Sequence, residues 1–338
     1  MRMISDLNKK KINRKIVALG IVSGGLDSLL ATLLLINQGI KVKWIHFISP
    51  FFDNSEICKK FAKDFGIDIK IVNLGKKYIK MLINPKYGYG KAMNPCIDCH
   101  IMMFREAKKY AKKIKADFIF TGEVLDERPF SQSRKALEII EKEAGLEGKI
   151  VRPLSAKLLP ISEAELKGLI DREKLLGIKG RKRSLQIKLA KEFRIKDYPH
   201  PAGGCVLTEK EFSAKLEDLL RSKGENVSED DIKLLKIGRH FGFEKWKIIV
   251  GRNNEENEIL KKMKGIKLYV PNYGSPITLL ESRASKEAII KAAEITARYS
   301  DAKNEKNVLV KYKIGRIEKE IIVEPMKQEE IERLRIKW

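Results

Sequence analysis

Hydrophobic positions along the first 165 residues alternate between short unbroken runs and helical spacing. Residues 16–22 are almost wholly apolar, with the length and β-branched content of a strand buried on both faces. The run stops at Ser23-Gly24-Gly25, where the glycines permit a tight turn. Leu26, Leu29, Leu30, Leu33 and Leu34 then fall at helical spacing, with Gly39 placed to end the helix. The same alternation predicts strands over 41–49, 68–73, 116–120 and 150–154, and helices over 56–65 and 102–113. Residues 84–95 are a loop by their Gly, Pro and Asn content, and Ser162 with Glu165 forms a capping box that opens another helix. Strands alternating with helices imply an α/β fold, a doubly wound parallel sheet with ligands at the carboxyl ends of its strands. His46, in the second strand, reads as a half-buried histidine with its hydrogen bonds satisfied.

Beyond residue 165 the pattern changes. Gly180-Arg181-Lys182-Arg183-Ser184 is a dense basic cluster, 185–193 is helical and basic, and 198–205 is a rigid Pro/Gly loop ending in Cys205. Residues 224–230 are polar and read as a linker. Strands over 246–250, 267–270, 307–312 and 318–323, with a helix over 286–299, make a separate α+β domain. The expected domains are therefore 1–165, a small basic adaptor segment over 166–222, and 223–338.

Strand, glycine turn and helix aim several backbone N–H groups and a helix N-terminus at one spot, which attracts anions and phosphate above all. The loop lacks the Gly-Lys-Ser/Thr ending of a mononucleotide P-loop. It places Asp27 at the start of the helix instead. A carboxylate beside a phosphate is repulsive unless a cation lies between them, so Asp27 points to Mg²⁺ as well as a nucleotide. Ser23 and Ser28 offer hydroxyls to the same phosphates. The plainer alternative is an ordinary turn whose acidic first residue is favoured by the helix dipole.

Charge narrows the partner. The chain of 338 residues has 69 Lys+Arg against 45 Asp+Glu, a formal net charge of +24. That excess points to a polyanion; a heat-adapted surface is the alternative, but acidic and basic residues would then be nearly matched. No run of about 18 apolar residues predicts a membrane span, and the lysine-bearing start has no apolar core of a signal peptide. Four cysteines then suit a reducing cytoplasm and thiol or metal roles rather than disulfides.

Cys96-x-x-Cys99 ahead of a helix can chelate a metal, and Cys205 adds a third thiol. Thiolates close zinc sites in fours, or in threes with a histidine, here His100 or His200. Iron–sulfur clusters usually take four cysteines, so three would leave one iron open to an exogenous ligand. A redox dithiol between Cys96 and Cys99, or unrelated buried thiols, are the other readings. Cys58, on an amphipathic helix, is expected to carry no chemistry.

Ser23-Gly24-Gly25-Leu26-Asp27-Ser28 resembles the signature of the PP-loop superfamily, whose members split ATP into AMP and pyrophosphate. That resemblance implies the adenine nucleotide alpha-hydrolase fold, ATP held by Ser23, Gly24, Gly25 and Ser28, Mg²⁺ on Asp27, adenine against the main chain near Phe47, and Gly122 against the nucleotide. Asn94-Pro95-Cys96-Ile97-Asp98-Cys99-His100 and Ala202-Gly203-Gly204-Cys205 resemble the cysteine segments of the tRNA 2-thiouridine synthetases. Cys96 gives the pattern of the cluster-dependent tRNA thiolases, which implies a [4Fe-4S] cluster on Cys96, Cys99 and Cys205, with Zn²⁺ as the alternative metal. Thr121-Gly122-Glu123, followed by Ser131-Gln132, is similar to a segment of the 4-thiouridine synthetases, so the thiolated atom stays open. The N-terminal RNA-binding extension of the latter is expected to be absent.

Ile237-Gly238-Arg239-His240-Phe241 and Ile248-Ile249-Val250-Gly251-Arg252-Asn253-Asn254 resemble the NFACT-R domain, known in RNA- and ribosome-associated contexts. Arg181, Lys182, Arg183, Arg239, Arg252 and Asn253 are the expected RNA contacts, and a structural turn accounts for the last group equally well. The resemblances together imply an ATP-dependent tRNA uridine sulfurtransferase in the cytoplasm. Its partners would be tRNA and a sulfide or persulfide donor, with a homodimer compatible. An amidating ligase with structural zinc, or a non-catalytic RNA-binding protein, are the competing readings.

Overall fold

A computed structural model describes residues 15–195, 198 and 205–336. The chain divides into two compact units between Thr208 and Glu209. The first holds the strands and helices β1 (Val17–Ile21), α1 (Leu26–Ile36), β2 (Lys41–Ile48), α2 (Ser55–Asp64), β3 (Ile69–Asn73), α3 (Gly75–Ile83), α4 (Cys96–Lys113), β4 (Phe118–Thr121), α5 (Arg134–Ala144), β5 (Ile150–Val151), α6 (Glu163–Leu166) and α7 (Ser184–Glu192). Its five strands are all parallel, in the order β3-β2-β1-β4-β5. This is the expected doubly wound sheet, and its order reverses between β1 and β4, where such sheets bind ligands.

The apolar run of β1 is buried because α-helices cover both faces of a parallel sheet. Leu19, Leu30, Trp44 and Phe120 are fully enclosed, each worth about 1.5–3 kcal/mol relative to exposure. A polar chain crosses this core: the Trp44 indole N–H donates to Thr32 Oγ1 at 3.1 Å, and that hydroxyl donates to the Ser28 carbonyl at 2.8 Å. The chain ties β2 to the first turn of α1. His46 donates Nδ1–H to the Val22 carbonyl at 2.8 Å. Its Nε2 is buried without a hydrogen-bond partner among the described residues, so it is only half satisfied.

Three expectations are corrected. The cysteine motif is not in a loop: Cys96 is the first residue of α4, because Ile97, Ile101 and Phe104 bury one helical face and draw the motif into the helix. The adaptor expected over 166–222 is no unit of its own, since α7 joins the first core through Ala190 while α8 (Lys210–Lys223) belongs to the second unit. The polar stretch 224–230 lies inside that second unit, where it turns α8 into α9 (Glu229–Leu235) through a capping box between Ser228 and Asp231.

The second unit continues with β6 (Arg239–Phe243), β7 (Trp246–Val250), α10 (Asn254–Lys262), β8 (Ile266–Tyr269), β9 (Thr278–Leu280), α11 (Lys286–Arg298), β10 (Val308–Ile314), β11 (Ile317–Val323) and α12 (Gln328–Leu334). Its antiparallel sheet runs β11-β10-β8-β9-β7-β6. Ala288, Ala292, Ile295 and other residues of α11 share a core with this sheet. No helix among the described residues is long and apolar enough to cross a membrane.

Gly20 shows how tightly β1 and β4 fit. A Cβ there would lie 2.5 Å from the Phe120 ring. Gly20→Ala is expected to cost about 1–3 kcal/mol in chemical denaturation, and Phe120→Leu in that background should recover stability rather than lose more.

Candidate active site

The loop after β1 is organised by its own hydroxyls. Ser28 Oγ accepts the Ser23 N–H at 3.2 Å and lies 3.2 Å from Ser23 Oγ. Gly24 has a φ of +80°, favourable to glycine, and a Cβ there would meet Cys58 Sγ at 3.1 Å. Cys58 is thus a core thiol packed beneath the loop, and burial pushes its pKa up to about 12. Gly25 precedes α1 without a side-chain cap, which leaves the positive dipole end of the helix without a side-chain acceptor of its own.

Asp27 sits in that first turn. Its Oδ2 accepts from Arg183 Nη2 at 2.9 Å, and its Oδ1 is buried without a hydrogen-bond partner. Burial raises its pKa, with Arg183 and Gln186 opposing the shift. An orphaned, buried carboxylate oxygen is an acceptor suited to a hard cation, so the site fits the expected Mg²⁺.

Gly122, at the carboxyl end of β4, lies against the backbone of α1. A Cβ would stand 2.5 Å from the Ser28 nitrogen and 2.6 Å from the Asp27 carbonyl carbon. Its role in the structure is therefore to let β4 approach the loop. On the other side, the Val22 N–H donates to the Ile45 carbonyl at 3.1 Å and the Leu74 N–H to the Ile48 carbonyl at 2.9 Å. Odd residues of β2 thus face β1 and even ones face β3. Because β1 ends opposite Ile45, the main chain of Phe47 lies beyond that end of β1. Its side chain is buried.

Behind Gly122 lies a buried ionic network. Glu123 accepts from Arg152 Nε at 3.0 Å, from the Thr121 hydroxyl at 2.9 Å and from His100 Nδ1 at 3.0 Å. Arg152 also pairs with Glu141. Burial works to raise the Glu123 pKa, but Arg152, then His100 and Thr121, outweigh it and hold it at about 2. His100 is thereby drawn into this network.

The fold brings the distant Cys205 turn to the loop before α4. The Met93 N–H donates to the Leu207 carbonyl at 3.1 Å, and the Thr208 N–H to the Cys205 carbonyl at 2.8 Å, which holds the Cys205 turn on the loop before α4. Burial, then the neighbouring sulfur of Cys96, push the Cys99 thiol well above its ordinary range, with Cys205 adding to the effect. Buried Tyr78 of α3 shares this environment, its hydroxyl within hydrogen-bonding reach of Cys99. Asp98 fixes the approach by accepting the N–H groups of Lys86 and Tyr87 at 3.0 and 2.9 Å. Among the described residues no three His, Cys, Asp or Glu side chains already stand in metal-holding geometry. His200 and the Ala202-Gly203-Gly204 stretch lie outside the described residues.

Residues 13–157 match the family model for the thiamine biosynthesis protein ThiI. That match lies within the first unit. Residues 238–335 match the NFACT protein RNA binding domain. The chain is 30% identical over 127 residues to the tRNA-specific 2-thiouridylase MnmA of Syntrophotalea carbinolica, covering 34% of this chain and 35% of that protein. It is 28% identical over 137 residues to the probable tRNA sulfurtransferase of Methanocaldococcus jannaschii, covering 40% and 35%. Among solved structures, the U34-tRNA thiolase NcsA from Methanococcus maripaludis with its [4Fe-4S] cluster aligns at 20% identity, 66% and 72% coverage and a TM-score of 0.30. The chain thus spans about a third of the length of the curated relatives it matches.

The expected RNA residues divide by environment. Arg181 and Lys182 are exposed. Arg183 is turned inward onto Asp27 rather than exposed beside them. In the NFACT-type domain, Arg252 is held by Glu256 and by the Lys236 carbonyl, Asn253 caps α10, and Arg239 stacks over Tyr299 at 4.8 Å. Sequence reasoning missed Tyr78, Arg152 and Gln186, since each acts through a tertiary contact with a residue far along the chain. Glu123→Gln is expected to remove about 3–5 kcal/mol of stability near neutral pH by unbalancing Arg152. A depressed carboxyl pKa contributes stability above its unfolded value near 4.5, lost as pH falls towards about 2; denaturation against pH should show that window flattened in the variant.

Proposed function

We propose that this protein is an ATP-dependent tRNA uridine sulfurtransferase acting in the cytoplasm. The observation that carries the proposal is the helix after the Ser23–Gly25 turn, uncapped and with a buried, unpartnered Asp27 oxygen in its first turn, in the same unit as Cys96, Cys99 and Cys205. A uracil carbonyl oxygen is a poor leaving group, and adenylation by ATP lets it depart as AMP. Ser23, Gly24, Gly25 and Ser28 would hold the phosphates, Asp27 the Mg²⁺, and the Phe47 main chain would face the adenine. Sequence kinship with a 2-thiouridylase and a probable tRNA sulfurtransferase supports this reaction class, as does the NFACT-type RNA-binding domain for the tRNA partner.

Sulfur delivery follows from the donor set. Three thiols suit a [4Fe-4S] cluster with one iron open, which when bound would supply an activated sulfide from a sulfide or persulfide donor. Cys99 is buried as a neutral thiol, so loading a metal must expel protons. Arg181 and Lys182 remain exposed for phosphate contact. Whether oxygen 2 or oxygen 4 of uracil is exchanged is a matter for the assay.

Anaerobically purified protein is expected to be brown and, with ATP, sulfide and tRNA, to release AMP and form thiouridine. Cys96→Ala, Cys99→Ala and Cys205→Ala should each abolish thiolation while ATP binding survives. Colourless protein holding stoichiometric zinc would contradict cluster delivery.

A further inference from the structure

Arg183 lies 156 residues from Asp27 in sequence, yet its side chain occupies the mouth of the PP-loop. Two features place it there. Ala190 of α7 is buried in the same core as Leu26 and Leu30 of α1, which docks the two helices. Arg183, Gln186 and Ala190 stand at i, i+3 and i+7, so they share the face turned to α1.

The polar groups on that face are incompletely paired. Arg183 Nη2 bonds Asp27 at 2.9 Å, but its buried Nε has no hydrogen-bond partner and lies 3.7 Å from Glu127 Oε1. Gln186 is fully buried, acts on the Asp27 carboxylate, and leaves both amide atoms without a hydrogen bond. Arg128 lies near enough to act on both Asp27 and Glu127. Two carboxylates, Asp27 and Glu127, therefore meet the Arg183 guanidinium at the uncapped helix N-terminus. Buried polar groups without partners are costly, and such a set becomes satisfied when an oxygen-rich anion and a cation enter together.

Resting on the ATP reading above, we infer that Arg183 is the pyrophosphate-binding cation this loop lacks in its own sequence, engaging Asp27 in the nucleotide-free chain and the phosphate oxygens when Mg²⁺ takes Asp27. The exchange conserves pairing at each step. Asp27 trades a guanidinium for a divalent ion, and Arg183 trades one carboxylate for phosphoryl oxygens, which its planar fork matches. Gln186 supplies an amide donor and an acceptor beside them.

The alternative role is a plain lock: Arg183 only neutralises Asp27 and blocks Mg²⁺. The two roles differ in sign. Calorimetric titration of the full chain with MgATP, magnesium pyrophosphate and AMP separates them. Arg183→Ala is expected to weaken ATP and pyrophosphate by about tenfold or more and to leave AMP within about twofold. Arg183→Lys, which keeps the charge without the fork, should fall between and retain the wild-type melting temperature. Unchanged or tighter pyrophosphate binding in the two variants would overturn the inference. A wild-type chain that binds none of the three ligands would overturn the nucleotide reading itself.

Discussion

The approach of β4 to the first turn of α1 governs the rest of the first unit. Gly122 touches the Asp27–Ser28 backbone so closely that any side chain would drive the two apart, a Cβ falling 2.5 Å from the Ser28 nitrogen. Through Ser28 the constraint reaches the Ser23 hydroxyl and N–H. Through the Ser28 carbonyl, Thr32 and Trp44 it reaches the centre of β2. Through Glu123, the next residue, it reaches Arg152 and His100, and His100 stands beside Cys99 in α4. One backbone contact at the reversal of strand order thus links the Ser23–Ser28 turn to the helix bearing Cys96 and Cys99.

The two halves of the site are prepared in opposite ways. The PP-loop half is polar and charge-balanced, with Asp27 and Arg183 already opposed and Glu127 and Arg128 beside them. Such a site can exchange partners without leaving an isolated buried charge, which is the expensive state. The thiol half is apolar and desolvated around Cys99 and Tyr78, and that burial pushes the Cys99 thiol well above its ordinary range. The Glu123–Arg152 network ties the end of β4 to α4 through His100.

Much of the first unit is visible in residue spacing. The run before Ser23 and the leucines after Asp27 define β1 and α1 to within a residue, because a strand buried on both faces and a core-facing helix leave strong, different periods. The thiols were identifiable as a set, but not their setting. Ile97, Ile101 and Phe104 do carry a helical period, yet a chelating motif invites a loop assignment, and only the structure shows Cys96 opening α4. Arg183 looked like part of a surface run with Arg181 and Lys182. The helical turn that sends its neighbours outward sends it inward, a distinction that depends on where α7 docks rather than on the local residues. Tyr78 and Gln186 left no mark at all, since burial of a single polar side chain against a distant partner has no periodicity.

The central claim is that phosphate loop and thiols serve one reaction on tRNA. Mass spectrometry of tRNA nucleosides from a host strain lacking this gene, complemented with the wild-type gene or with Cys99→Ala, tests it most directly. One thiolated uridine should be missing from the deletion strain, restored by the wild-type gene and not by Cys99→Ala. Identical thionucleosides in all of the strains would contradict it.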